Sequence, residues 1–165
     1  MEGQPSPVSL EPPLGIYPAR VDEKGRLKLP ADMQRYLAAV LETDGSEPRV
    51  FLTTLDLRIA RIYPVSLWKQ NEILLEQETD DPGEAEDIAF LAKDLGGSSD
   101  IDSQGRVLVP AELRRLLNIE GQPVWLDCYK GRINVYGKEV YEERQRRYRE
   151  NTLEKLRKLE RKGLK

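Results

Sequence analysis

The sequence predicts an α+β, β-rich fold made of two copies of one small unit that share a core. Three observations predict it. The run Asp22-Glu23-Lys24-Gly25-Arg26-Leu27-Lys28-Leu29-Pro30 returns 80 positions later as Asp102-Ser103-Gln104-Gly105-Arg106-Val107-Leu108-Val109-Pro110. In the first copy, strict alternation of apolar and polar residues over Arg26–Leu29 gives way at Pro30 to helical spacing. A unit of about 50 residues is also near the lower limit at which a chain buries enough apolar surface alone, so the two copies are expected to pack on each other.

Residues 1–13, rich in Pro and Ser, are expected to form a loose tail. The first repeat spans residues 14–66 and opens with an extended run over 16–21. After a turn at 22–25, Leu27 and Leu29 share one strand face and Arg26 and Lys28 the other. Pro30 suits a helix start, because its fixed φ matches a first turn. Met33, Tyr36, Leu37, Val40 and Leu41 then form one buried stripe. Residues 43–48 read as a loop, followed by strands at 49–55 and 58–63 joined by a tight turn near Asp56.

A helical connector occupies residues 67–95. Ser66 is placed to cap a helix carrying Leu67, Trp68, Leu74 and Leu75. Asp81 and Glu84 have capping-box spacing around Pro82. Ala85, Ile88, Ala89, Leu91, Ala92 and Leu95 make a second stripe that stops at Gly96-Gly97. The second repeat, residues 96–140, predicts strands at 124–129 and 132–136 around a Lys130-Gly131 turn. The remainder, 141–165, reads as a basic C-terminal helix, one long element over about 139–162 with a thin seam of Tyr141, Tyr148, Leu156 and Leu159.

Composition narrows function. The 165 residues carry 26 Lys and Arg against 29 Asp and Glu, a formal net charge of −3. Any affinity for nucleic acid must therefore come from a local patch. With no histidine and one cysteine, neither a Ser-His-Asp nor a Cys-His site can be assembled, nor an ordinary zinc site. No phosphate-binding G-x-x-x-x-G-K-[ST] loop occurs. Catalysis, metal and cofactor are therefore not expected. Cys128, in an apolar run, is expected to pack rather than react. The opening residues lack the basic start and apolar core of a secretion signal, and no apolar stretch is long enough to span a membrane.

In the repeated turn, Asp22 and Asp102 are placed to accept backbone N–H groups two residues on. Gly25 and Gly105 tolerate a positive φ. The arginine that follows is not required by turn chemistry. In the first copy Arg20, Lys24, Arg26 and Lys28 are expected to gather around one hairpin as a cationic patch. In the second, Arg106 stands nearly alone.

The tandem Asp-x-x-Gly-Arg-x-x-x-Pro, each followed by Leu/Met-x-x-Tyr/Leu-Leu, resembles the MraZ family of bacterial transcriptional regulators, within the wider AbrB/SpoVT group. Leu14-Gly15 and Trp68 fit the same pattern, and the likeness covers residues 14–141. It implies a swapped-hairpin, double-split β-barrel interlocked within one chain, assembling into a homo-oligomeric ring in the cytoplasm at the nucleoid. It also implies binding of double-stranded DNA at promoter direct repeats ahead of the division and cell-wall gene cluster and of the protein's own promoter. Arg26 and Lys24 match the family's DNA-contacting positions, and Arg106 matches the second motif. On this reading Arg26 addresses a base edge while Arg20, Lys24 and Lys28 hold phosphates. The alternative is an antitoxin-like interaction protein whose C-terminal arm holds a partner protein.

Overall fold

The computed structural model describes residues 11–45 and 48–165. The expected tail falls largely outside the described residues, as do Ser46 and Glu47 of the 43–48 loop. The chain runs β1 (Tyr17–Arg20), β2 (Arg26–Lys28), α1 (Ala31–Thr43), β3 (Arg49–Thr53), β4 (Ala60–Pro64), α2 (Val65–Gln77) and α3 (Pro82–Leu95). It continues with β5 (Gly97–Asp100), β6 (Arg106–Leu108), α4 (Ala111–Leu116), β7 (Pro123–Tyr129), β8 (Arg132–Tyr136), α5 (Lys138–Arg149) and α6 (Thr152–Glu160).

An antiparallel six-stranded sheet has the order β1-β7-β8-β4-β3-β5, and β2 pairs with β6 as a separate two-stranded ribbon. The order reads the same from either end once β1 is equated with β5, β3 with β7 and β4 with β8. Each repeat's first strand therefore pairs with the hairpin of the other repeat: Tyr17 faces Leu126, and Val50 faces Ser99. The repeats are interlocked, and neither half has a complete sheet alone.

The core lies between the six-stranded sheet and the ribbon. Leu27 and Val107 project inward from the ribbon, and Val50, Leu52, Ile62, Leu126, Ile133 and Val135 from the sheet. Met33, Leu37 and Leu113 of α1 and α4 pack on the same cluster. Truncating a side chain such as Leu27, which has no exposed surface, to Ala is worth about 2–5 kcal/mol. On the other sheet face, Trp68 of α2 packs on Phe51 and Tyr63 with ring centroids 4.8 and 5.1 Å apart. Trp125 of β7 stacks on Tyr141 of α5 at 4.3 Å. Two helical elements thus cover the ends of that face and leave a trough between them.

Local expectations met four exceptions. Ser66 does not cap α2: Pro64 holds the cap position, and the Ser66 hydroxyl instead donates to the Asp44 carboxylate at the end of α1. Asp81 and Pro82 do open α3, but no side-chain capping bond forms. Gly96 ends α3 in extended backbone, φ −96°, because the chain passes directly into β5. The C-terminal segment is two helices, not one. Glu150 is extended and Asn151 adopts left-handed backbone, φ 53°, a conformation that Asn tolerates better than most residues. Cys128 is partly exposed but packs against the core. Burial, followed by the Asp127 charge, pushes its thiol up to about 11, which keeps it protonated and unreactive at neutral pH.

Candidate nucleic-acid interface

The repeated turn is built as a tight hydrogen-bonded unit in both copies. Asp22 Oδ1 accepts the N–H groups of Lys24 and Arg26, each at 2.9 Å. Asp102 Oδ1 accepts those of Gln104 and Arg106 at 2.9 and 2.8 Å. Gly25 and Gly105 lie at φ 84° and 75°. Contrary to the sequence expectation, the arginine is also part of the turn. Arg26 Nε donates to Asp22 Oδ2 at 3.1 Å, and Arg106 Nε to Asp102 Oδ2 at 2.8 Å. These ion pairs are partly solvated, so their contribution to stability is small. Their consequence is orientation: Nε is held at the turn, while no acceptor among the described residues engages the Nη fork of Arg26.

The carboxyl groups of Asp22 and Asp102 are held below the ordinary 3.8. The main cause is the N–H of Arg26 or Arg106, partly opposed by desolvation, with the guanidinium adding to the effect. A depressed folded value contributes stability that is present above the ordinary carboxylate value and lost as pH falls through the depressed one. This small contribution is therefore expected to be lost only as pH falls below 3.8, and an Asp22→Asn, Asp102→Asn chain to show a slightly flatter acid limb. A pH series of thermal melts checks this.

The turns sit at opposite ends of the ribbon. The register places Arg26 opposite Leu108 and Lys28 opposite Arg106. Leu27 and Val107 fill the inward face, so Arg26, Lys28, Arg106 and Leu108 share the outward one. Lys28 is exposed, Leu108 is 52% exposed, and Arg26 is about one-third exposed. Lys24 lies exposed on the first turn. Arg20 is not on this ribbon. It belongs to β1, pairs with β7, and donates from Nη2 to the Gly121 carbonyl at 2.9 Å. Apart from one Val21–Leu27 bridge, β1 and β2 do not form the hairpin expected. Arg20 and Lys28 instead flank a shallow groove completed by Ser103 and Gln104 of the second turn. The cations of the first motif are thus grouped with residues of the second.

Two further residues hold this surface. Gln34 and Arg114 are themselves 80 positions apart, a signal the sequence reading passed over. Gln34 donates to the Leu29 carbonyl and Arg114 to the equivalent Val109 carbonyl. Each lies over the turn glycine of the other repeat, Gln34 over Gly105 and Arg114 over Gly25. The carbonyls of Gly25 and Gly105 accept the N–H groups of Val109 and Leu29, each at 2.9 Å. Each turn is therefore fixed by the opposite half of the chain.

Comparison with known proteins bears on this surface. Residues 97–161 match the family model described as "MraZ protein, putative antitoxin-like". A protein of Acidobacterium capsulatum named Transcriptional regulator MraZ is 38% identical over 110 residues, covering 67% of this chain and 72% of that one. A protein of the same name from Koribacter versatilis is 31% identical over 108 residues, covering 66% and 71%. Another from Anaeromyxobacter sp. is 32% identical over 131 residues, covering 78% and 85%. The relatives carry the name of a regulator and not of an enzyme, in agreement with a composition that holds no histidine for a Ser-His-Asp or Cys-His site. With the duplicated turn, the exchanged strands and these likenesses together, the chain belongs to the MraZ family.

Proposed function

We propose that this chain is a sequence-specific DNA-binding transcriptional regulator that reads a promoter through the outward face of the β2–β6 ribbon. The observation that carries the reading is the Lys28–Arg106 cross-strand pair. Asp102 engages only the Nε of Arg106, so the two cations stand opposite each other on the outward face, where one phosphate can take both. The major groove admits a two-stranded β-ribbon. Arg26, steadied by Asp22, offers its Nη fork to a guanine edge, while Lys24, Lys28, Arg20 and Arg106 address phosphates.

A few cations per chain neutralise few phosphates, so a single ribbon binds weakly. Several ribbons in a homo-oligomeric ring, set against direct repeats, raise the effective concentration of each later contact. The relatives' name supports the regulatory role, and repression of the protein's own promoter and of the division and cell-wall cluster is part of the proposal. Charge and exposed apolar surface favour self-assembly. The α2–α3 region, residues 65–95, carries nine acidic side chains and two lysines, whereas residues 138–165 carry eleven basic and six acidic ones. Ile73, Leu74 and Phe90 are exposed on the first, and Leu153, Leu156 and Leu159 on the second.

No described helix is long and apolar enough to cross a membrane. A cytoplasmic protein acting on DNA at the nucleoid is the setting proposed. The rival reading, an antitoxin-like body with a partner-binding arm, matches the wording of the family description and the basic C-terminal helices. Light scattering separates the two: a large closed assembly of the chain alone supports the regulator, and a dimer that grows only with a second protein supports the rival. Binding to DNA from upstream of its own gene, followed by anisotropy at increasing salt, is expected to weaken with a log–log slope of about −0.9 per phosphate contact. A flat salt response contradicts the ribbon reading.

A further inference from the structure

The trough between α2 and α5, on the sheet face turned away from the ribbon, gathers five arginines around a cavity of about 460 Å³. Arg61 rises from β4, Arg132 from β8, Arg58 from the loop before β4, and Arg144 and Arg147 from α5. Arg61 alternates with Ala60 and Ile62, whose side chains enter the core shared with Leu27 and Val107. The trough and the ribbon therefore lie on opposite faces of the sheet.

The acids lining the trough already have other partners. Asp56 accepts the N–H groups of Arg58 and Ile59 at 2.9 and 3.1 Å. Asp127 takes the Tyr136 hydroxyl at 3.2 Å. Glu143, beside the trough, serves both Arg58 and Arg147. Among the described residues, Arg61, Arg132 and Arg144 have no carboxylate oxygen within 4.0 Å. Arg132 is held in place without being neutralised: its Nε donates to Asn134 Oδ1 at 3.0 Å, and its guanidinium lies 5.0 Å from the Tyr129 ring centroid. Arg61 Nη1 donates to the Tyr63 hydroxyl at 3.1 Å, but Arg61 Nε is buried with no acceptor among the described residues. A desolvated guanidinium N–H left unsatisfied is costly, and such a group calls for a missing ion or ligand.

We propose that this trough is a binding site for a small polyphosphate, with the chemistry of a nucleoside triphosphate or inorganic tripolyphosphate. Arginine forks match phosphate oxygens in geometry and charge. A cavity of this size suits a nucleotide-scale ligand, and several convergent guanidiniums favour a polyvalent anion over a monovalent one. Because the site faces away from the ribbon, a duplex lying on the ribbon does not occupy it. The ligand would be a separate effector whose binding is independent of Arg26.

Calorimetric titration of the full chain with ATP, tripolyphosphate and orthophosphate tests this. The polyphosphates are expected to bind saturably and orthophosphate much more weakly. Equal binding of both polyphosphates assigns recognition to the phosphate chain alone, and tighter ATP binding adds a contribution from the nucleoside. Arg61→Gln is expected to weaken binding about tenfold or more. Arg144→Ala, at an exposed helix position that leaves the fold intact, tests the site even if Arg61→Gln fails to fold. Arg26→Ala and Arg157→Ala should leave the titration unchanged. No saturable binding at millimolar polyphosphate, or unaltered affinity in Arg144→Ala and in a folded Arg61→Gln, overturns the proposal. Displacement of ATP by promoter duplex overturns the independence of the two sites.

Discussion

An Arg26→Ala chain is expected to bind its promoter and random DNA with nearly equal affinity while keeping the wild-type melting temperature within a few degrees. The side chain does two separable things. Its Nε closes the turn on Asp22 at 3.1 Å, a partly exposed pair of little net worth. Its Nη fork is presented on the outward ribbon face, where the proposed bidentate contact to a base is worth about 1–3 kcal/mol of discrimination, roughly a 5- to 150-fold preference per protomer engaged. Arg26→Lys keeps the charge but not the fork, so it should retain overall affinity and lose selectivity. Lys28→Ala is expected to do the converse, weakening all sequences alike and reducing the salt slope by about one per protomer. Anisotropy with promoter and scrambled duplexes measures both.

Gly25→Ala and Gly105→Ala are expected to be the most destabilising changes in the turns. Gly25 has φ 84°, and a Cβ there would collide with the Arg114 guanidinium; Gly105 has φ 75°, and a Cβ there would collide with the Gln34 side-chain amide. Left-handed backbone costs a residue with a Cβ about 1–2 kcal/mol. Displacing Arg114 from the Val109 carbonyl leaves a buried acceptor unpaired, about 1–3 kcal/mol more. The sum, on the order of 2–5 kcal/mol, lowers the melting temperature by roughly 5–15 °C for a chain of this size. Because each glycine is covered by the other repeat, either substitution should loosen both turns. Loss of DNA binding at Gly105→Ala, far along the chain from Arg26, would report that coupling.

Much of the architecture was legible because local signals agree with one another. Alternation at residues 26–29 and the stripe from Met33 to Leu41 gave β2 and α1, and Leu27, Leu29, Met33 and Leu37 are indeed buried. The interlock was reached through the family likeness and not from spacing, since pairing partners 100 residues apart leave no local trace. The same limit misplaced Arg20, whose strand pairs with β7. It also hid the seat of Arg106, which looked solitary in sequence and lies opposite Lys28. The break at Asn151 escaped because no Gly or Pro marks it. The Arg26–Asp22 ion pair escaped because turn rules concern the backbone and say nothing of where a long side chain returns.

The most direct test of the central claim is a lysine acetylation footprint with and without promoter DNA. DNA is expected to protect Lys24 and Lys28 and to leave the reactivity of Lys155, Lys158 and Lys162 of the C-terminal segment unchanged. Protection of the C-terminal lysines, with Lys24 and Lys28 modified at an unchanged rate, would contradict the claim.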